Sequence, residues 1–288
     1  MIAYRHTKAD LFAEKSIPSR LELLEYEKDL LENLKRLLQR IQSGIGPNGN
    51  NWTDDEAFLG HILHQPKAVE PNPEDADSSK SVRAHFYITD AKARWESFKE
   101  VHRPSASFRT MAVPSIDFQV LSMLWIMKVG HLLDQHLLPC CRANRLKRCR
   151  DFGNENNDED PPLNNDAPQV FRPYYFAYRN WRRDGLKAIE KELDNKNRVV
   201  AVTMDLQRYY HQIDPAVLAN QGFWNDLFGI KLDVEQSHLT GLLTHALVAW
   251  AAKSPDKMGI PVGLLASKII SNPNKSPKKD LKLLKLFL

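Results

Sequence analysis

The stretch RVVAVTMDLQRYYHQIDP, residues 198–215, decides the predicted fold. The β-branched and apolar residues before Asp205 are typical of a short buried strand. Asp214 followed by Pro215 predicts a helix that begins there and runs to about Asn220. A carboxylate at the end of a strand lies at the rim of a sheet, where oxygen ligands can hold a hard cation such as Mg2+. We therefore expect Asp205 to be a site residue.

Around this stretch the sequence pattern is mostly helical. Apolar residues at spacings of three and four predict helices over residues 19–42, 116–138 and 238–253, with a shorter one near 54–64. The 116–138 segment is predicted to be a major core helix, and Ser115 is placed to cap its amino terminus. Of the 288 residues 42% are apolar and 26% are charged, which argues against wholesale disorder or a fibrous repeat.

The first predicted helix carries one apolar stripe and is followed by Gly44, a typical helix stop. The stripe consists of Leu24, Leu31, Leu34, Leu38 and Ile41. It predicts a surface helix that packs on the rest of the chain. Because the stripe spans about three heptads, pairing with another chain in a coiled coil is the alternative.

A basic run follows the predicted core helix. The letters CCRANRLKRCR, residues 140–150, contain five cations: Arg142, Arg145, Lys147, Arg148 and Arg150. A solvated face and a phosphate-contacting surface are both open interpretations of such a run. The next segment is acidic, rich in Asn and without apolar periodicity, which predicts a mobile loop over residues 151–170.

Cations and aromatic residues alternate in RPYYFAYRNWRRDGLKAIEKEL, residues 172–193. Guanidinium groups meet phosphates and aromatic rings meet bases, so this composition favours a nucleic acid or nucleotide as partner. The alternative is that the rings face the core while the arginines face water.

The segment MGIPVGLLASKIISN, residues 258–272, is predicted to be a glycine-proline loop that opens a helix. The backbone at Gly259, Pro261 and Gly263 lacks bulky side chains, which would allow a ribose-phosphate strand to approach closely. The alternative is a simple connection before a helix.

Taken in order, these segments resemble the fingers and palm of reverse transcriptases, the RNA-directed DNA polymerases, and in particular the bacterial ones of the abortive-infection and phage-defence kind. The similarity rests on Tyr178-Arg179, on the D-x-x-x-Y-Y block that begins at Asp205, and on GIPVGLLASKIISN. FRTMAVPSIDFQVLSMLWI followed by ANRLKR resembles the amino-terminal finger region. The resemblance covers roughly residues 100–272, and its specificity comes from order and spacing.

The resemblance implies a role for each matched residue. Asp205 matches the first catalytic aspartate of the palm, which holds Mg2+, and Tyr210 matches the ring that excludes a ribose 2′-hydroxyl and so favours dNTPs. Arg179 matches a finger residue at the triphosphate, and Arg109 is a weaker candidate for template or nucleotide phosphate. Residues that match the support of the template and nascent base pair are Gly259, Pro261, Gly263 and Ser267. The expected nucleic-acid contacts are Arg142, Arg145, Lys147 and Arg148.

The implied fold class is α+β, with helix-rich fingers, a partial palm, a small antiparallel sheet and no thumb. The implied domains are a helical N-terminal extension at 1–100, fingers at 101–198, a partial palm at 199–272 and a Lys-rich tail at 273–288. RNA template or single-stranded nucleic acid and dNTPs are the implied partners, and antiviral defence is the implied setting.

The chain departs from the family pattern after Asn272. The palm needs an aromatic, any residue and then Asp-Asp, but the segment from 273 to 288 has five lysines and the single acid Asp280. One aspartate cannot hold two cations about 4 Å apart. The residues Trp52-Thr53-Asp54-Asp55 match this pattern, but they precede Asp205 and could serve only in a permuted palm. Thr53 or Asp54 is more simply the cap of a helix.

We therefore expect a truncated or frame-shifted reverse transcriptase whose own catalytic activity is undecided. A noncatalytic nucleic-acid-binding or regulatory fragment is the alternative function, and an inert fragment is a third. The sequence shows no signal-peptide core, its apolar stretches are interrupted by charged residues, and its three cysteines cannot form a disulfide framework. These features favour a cytoplasmic protein that does not span a membrane.

Overall fold

The structure is a computed structural model that describes residues 1–13, 17–44, 51–70, 91–102, 105–137, 141–149, 161–200, 208–255 and 257–272. Over these residues the chain is rich in helix and has one small sheet of two antiparallel strands. The predicted α+β class is therefore confirmed.

The described helices and strands follow one another in this order: α1 (Ile2–Ala13), α2 (Ile17–Lys28), α3 (Leu30–Ser43), α4 (Glu56–Leu59), β1 (His61–Glu70), α5 (Ala91–His102), β2 (Ser105–Val113), α6 (Ile116–Trp125), α7 (His131–Gln135), α8 (Tyr174–Asp194), α9 (Tyr209–Gln212), α10 (Val234–Lys253) and α11 (Leu265–Ile270). The described segments Trp52–Asp54 and Pro215–Ala219 are 3-10 helices, and Ile126–Gly130 and Phe223–Leu227 are π-helices.

The chain forms two compact units. One consists of Met1–His61 and Ala112–Leu288, and the other of Ile62–Met111. The second unit holds α5 and most of the two-stranded sheet. The unit boundaries at 61/62 and 111/112 are not among the predicted domain boundaries.

The core of the first unit is built around α6, the π-helix after it and α7. As predicted, Ser115 caps α6, because its hydroxyl accepts a hydrogen bond from the Phe118 N–H. Helix α6 packs on α1, α10 and α11. Its side chains that are fully or almost fully buried include Phe118, Leu121, Met123 and Trp125. The predicted core helix of 116–138 is thus confirmed, with a π-helical turn inside it.

Among the described residues, the run Ile116–Gln135 is long and apolar enough to cross a membrane by length and composition. The charged and polar residues that interrupt this run predicted no span there. Most of this run is buried inside the protein. A core helix passes the same test, so the run is weak evidence for a span.

Two other predicted helices are confirmed, and their caps explain their ends. Asp214 accepts a hydrogen bond from the Ala216 N–H and begins the 3-10 helix Pro215–Ala219. Helix α10 begins four residues before the predicted start. Its first turn is closed by a capping box, in which Asp233 and Gln236 each accept from the other's backbone N–H.

The predicted helix of 19–42 is divided into α2 and α3 at Asp29, and its predicted buried stripe is right for Leu34 and Ile41 only. Leu24, Leu31 and Leu38 are more than half exposed, whereas Leu23 and Leu37 are buried with Ile41. The same residues carry two apolar stripes with helical spacing. The stripe that faces inward is fixed by tertiary contacts, such as the 2.7 Å hydrogen bond from the Tyr26 hydroxyl to Asp117.

The predicted helix near 54–64 is also corrected. Helix α4 ends at Leu59, and β1 begins at His61. Gly60, with φ +80°, ends the helix where the backbone of Val113 approaches too closely for a side chain. The caps differ as well, since Asn51 caps the 3-10 helix and Asp55 caps α4, in place of Thr53 or Asp54.

Several predicted segments lie wholly or partly outside the described residues. These are most of the predicted strand of 198–204, the first half of the predicted loop, 151–160, and the tail of 273–288. Residues 198–200 of the predicted strand are described, and they are not in a strand. The other half of the predicted loop, 161–170, packs on α1: Val170 is fully buried and its N–H donates to Asp10. This half is therefore a packed connection.

A buried hydrogen bond between α6 and α10 gives a test of this core. The Trp125 indole N–H donates to the Thr240 hydroxyl at 3.1 Å, and both residues are buried. Thr240→Val leaves that donor without its acceptor, so we expect the free energy of unfolding to fall by about 1–3 kcal/mol.

Thr244→Val is the matched control on the same helix. The Thr244 hydroxyl donates only to the Thr240 carbonyl, which belongs to the helix itself, so its loss is expected to cost less than about 1 kcal/mol. Urea unfolding followed by circular dichroism compares the two variants. Equal losses would contradict the importance of the indole bond.

Candidate nucleic-acid and nucleotide site

The segments around Tyr210 and around Gly259 are in direct contact, although about fifty residues separate them. The Ile260 N–H donates to the Tyr210 carbonyl at 2.9 Å. The Tyr209 hydroxyl donates to the Ser271 carbonyl at 2.5 Å, and the Ser271 hydroxyl donates to the Tyr210 hydroxyl at 3.3 Å. The structure thus brings together two of the segments that were predicted to share a site.

The two glycines of the loop are required by the protein's own backbone. Gly259 has φ +96°, and a Cβ there would lie 2.6 Å from the His211 Cα. Gly263 has φ +118°, and a Cβ there would lie 2.5 Å from the Ala112 carbonyl oxygen. Both positions combine a left-handed backbone with contact to another segment. The space predicted for a ribose-phosphate strand on this side of the loop is therefore occupied by the protein.

Helix α6 holds the end of the loop through two buried side chains. The Gln119 side chain donates to the Gly263 carbonyl at 2.8 Å and accepts from the Leu265 N–H at 3.1 Å. The Ser122 hydroxyl accepts from the Ala266 N–H at 2.5 Å. These bonds satisfy the first backbone groups of α11, whose amino terminus would otherwise be unpaired.

Two predicted contact residues of this loop are buried. Pro261 is buried, and Ser267 is almost fully buried with a hydroxyl that makes no hydrogen bond to any described residue. Tyr210 is only partly buried. Pro261 and Ser267 therefore support the loop from inside, and the role of Tyr210 toward a nucleotide stays a prediction.

The basic run is divided between a buried ion pair and the surface. Asp134 of α7, which is almost fully buried, accepts from Arg145 at 2.9 Å and from Arg148 at 3.0 Å. Burial and the charge of Arg148 lower the pKa of the nearby His131, so this histidine adds no positive charge near neutral pH. The Arg145 and Arg148 charges thus belong to a structural ion-pair cluster.

Arg142 lies at the surface beside α8. It pairs with Asp184 at 2.6 Å, and Arg183 pairs with the same carboxylate at 3.1 Å. The hydrogen bond from Arg183 and the charge of Arg142 lower the pKa of Asp184. Lys147 is partly exposed, and its backbone bonds to Val170. Of the four predicted nucleic-acid contacts, Arg142 and Lys147 therefore remain candidates by position.

Helix α8 has no buried residue along its 21 residues. The interpretation of its aromatic residues as core is therefore wrong. Five large rings are about half exposed or more: Tyr174, Tyr175, Phe176, Tyr178 and Trp181. Arg179 is exposed as well and makes no ion pair within the described part of the chain. The helix presents a basic and aromatic surface to solvent.

Arg109 and Asp205 stay predictions. Arg109 is exposed on β2, in the second unit. Asp205 lies outside the described residues.

The residues present do not fit the Mg2+ centre that the resemblance implies. In the part of the chain that the structure describes, no three His, Cys, Asp or Glu side chains lie together as a metal site requires. The printed sequence adds Asp205 but no second carboxylate pair of the family pattern. A centre of two cations needs bridging and terminal oxygens from more than one carboxylate.

Three structural residues were missed by sequence reasoning. Asp134 is the single acid of α7, and an acid just before a basic run was a usable signal for an ion pair. Gln119 gave no signal, because a Gln on a core helix is common. Asn272 donates to the Ala143 carbonyl at 3.2 Å and so joins the end of α11 to the basic run.

No protein-family model, curated protein or solved structure matches this chain.

The left-handed glycine of the loop gives a second test. In Gly259→Ala the new Cβ meets backbone atoms of residues 210 and 211, and φ +96° is strained for alanine. We expect the free energy of unfolding to fall by more than about 2 kcal/mol.

Gly241→Ala on α10 is its control, because nothing lies within 4 Å of the new Cβ and alanine favours a helix. This change is expected to stabilise by about 0.5–1 kcal/mol. Thermal unfolding of both variants measures the difference. An unchanged Gly259→Ala would show that the two segments are not in contact.

The ion-pair cluster gives a third test. Asp134→Asn removes the charge that neutralises two arginines, each of which is at most one-fifth exposed at its side chain. Leaving them uncompensated is expected to lower the free energy of unfolding by about 3–5 kcal/mol.

Asp184→Asn makes the same change at an exposed carboxylate of α8, which pairs with Arg142 and Arg183. It is expected to leave the urea midpoint unchanged. If both variants are as stable as the wild type, Arg145 and Arg148 are not held by Asp134 and return to the list of nucleic-acid contacts.

Proposed function

We propose that this chain is a reverse transcriptase-type domain that holds single-stranded RNA or DNA. RNA-directed DNA synthesis from dNTPs would belong to a form in which a second carboxylate pair joins Asp205. The observation that carries the proposal is the contact of the Tyr209–Tyr210 segment with the Gly259–Ser271 segment. The resemblance assigns the Tyr209–Tyr210 segment to the incoming nucleotide and the Gly259–Ser271 segment to the template. A polymerase site requires these two segments to be adjacent.

A series of contacts supports extending this site toward α8. Asn272, at the end of α11, bonds to Ala143 of the basic run. The neighbouring Arg142 pairs with Asp184 of α8. The helix that carries Tyr178-Arg179 is therefore joined, through the basic run, to the helix that follows the loop. The resemblance implies that the fingers and the palm contact the same template, which requires such a connection.

The second candidate function is noncatalytic binding of nucleic acid. It is favoured by the exposed cations and rings of α8 together with the lack of a second carboxylate pair in the printed sequence. Primer extension with the purified chain, a primed RNA template, Mg2+ and dNTPs tests whether this chain is itself catalytic. We expect no extension, and templated incorporation that Asp205→Ala abolishes would contradict an incomplete site.

Salt dependence of binding tests the nucleic-acid function directly. If Arg179 contacts a phosphate, Arg179→Ala lowers the slope of log K against log salt concentration by about 0.7 for a single strand. Filter binding of single-stranded RNA at several salt concentrations measures the slope.

The control is Lys35→Ala, which removes an exposed cation of α3 that is paired with Glu32. Its slope is expected to equal that of the wild type. Neutralising Arg145 and Arg148 is no substitute for Arg179→Ala, because these arginines are paired with Asp134 and their loss would test folding. Salt-independent binding, or no binding, would contradict the proposed function.

A further inference from the structure

We propose that α8 binds the unpaired bases of a single-stranded nucleic acid on three neighbouring exposed rings, Tyr174, Tyr178 and Trp181, here called the ring ladder. The inference deepens the proposed nucleic-acid function and rests on it. It assigns the bases to the ring ladder and the phosphates to the cations beside it.

The ring ladder is a continuous aromatic surface on one side of the helix. Its members lie at positions i, i+4 and i+7, which share a helical face. The ring centroids of Tyr174 and Tyr178 are 6.0 Å apart with planes 24° apart, and those of Tyr178 and Trp181 are 5.9 Å apart with planes 31° apart. Their exposed fractions are 68%, 46% and 54%. Exposed rings in a row along one helical face are side chains on which the bases of a single strand can stack.

The charges around the ring ladder indicate a polyanion as its occupant. Residues 174–187 contain four cations, Arg179, Arg182, Arg183 and Lys187, and one acid, Asp184. That acid is already paired with Arg142 and Arg183. The remaining cations form no ion pair with any residue in the described ranges, and the Arg182 guanidinium lies 6.0 Å from the Tyr178 ring centroid.

A protein partner on this face would be disfavoured by the same charges. Aromatic residues and arginine also occur in protein interfaces, but a second copy of this chain that docked through α8 would bring the same unpaired cations to the interface and leave them without an anion. Phosphates supply that anion once per nucleotide. A helix that exposes a row of rings, with Arg182 beside them and Arg179 unpaired on a neighbouring side, therefore fits nucleic acid better than a second copy of this chain.

The ring ladder further selects unpaired bases. In a duplex the base faces are stacked on one another and are not accessible to side chains. In a single strand they can stack on tyrosine and tryptophan, independently of sequence. The bound species should therefore be single-stranded.

The test is fluorescence anisotropy with three labelled probes: an oligothymidylate of about 12 nucleotides, an abasic strand with the same number of phosphates, and a duplex of the same length. We expect the oligothymidylate to bind most tightly. Tyr178→Ala combined with Trp181→Ala should weaken its binding by about tenfold or more, to the level of the abasic strand. Trp181→Phe, which keeps a ring, should retain most of the binding.

Phe176→Ala is the matched control. Phe176 lies on the same helix with a similar exposed fraction of 49%, but its ring contacts Tyr175 on another side. We expect wild-type binding. Because α8 has no buried residue, all these variants should keep the wild-type circular dichroism spectrum.

Three results would overturn the inference. Equal binding of the abasic strand and the oligothymidylate would leave nucleic-acid binding in place and remove the ring ladder from it. Loss of self-association in the double variant, with no change in oligonucleotide binding, would assign the rings to a second copy. Failure of all three probes to bind would reject both the ring ladder and the proposed function.

Discussion

The loop that begins at Gly259 is held from two sides by backbone, and the candidate site depends on this constraint. Tyr210 accepts from the loop on one side, and Ala112 donates to the Val262 carbonyl at 2.7 Å on the other. At Gly259 and Gly263 these approaches leave no room for a side chain. Since Gln119 fixes the loop to the core helix α6, the segments that resemble template and nucleotide supports take their positions from the centre of the fold.

The charged side chains of the basic run are divided between the interior and the surface. Asp134 neutralises two arginines of the basic run inside the protein, while Arg142 reaches outward to Asp184. The run therefore has a structural half and a surface half, and the surface half is attached to α8. Helix α8 in turn keeps its rings and most of its cations in water. This exposed aromatic surface is not needed for the packing of the core, and the proposed binding rests on it.

Local signals explain what the sequence predicted well. Ser115, Asp214 and the regular spacing of apolar residues in α6 and α10 act within a few residues, so the corresponding helices are found where expected. Features set by distant contacts could not be predicted. Examples are the choice between two leucine stripes in α2 and α3, and the end of α4 at Gly60, which depends on the approach of Val113.

The candidate site divides in the same way. The resemblance implied the adjacency of Tyr210 and Gly259, but the burial of Pro261 and Ser267 and the pairing of Arg145 and Arg148 arise from packing. Ultraviolet crosslinking of a single-stranded oligonucleotide, with the adducts mapped by mass spectrometry, tests the account most directly. The account predicts adducts on the exposed rings of α8. Adducts confined to other helices, such as α2 and α3, would contradict it.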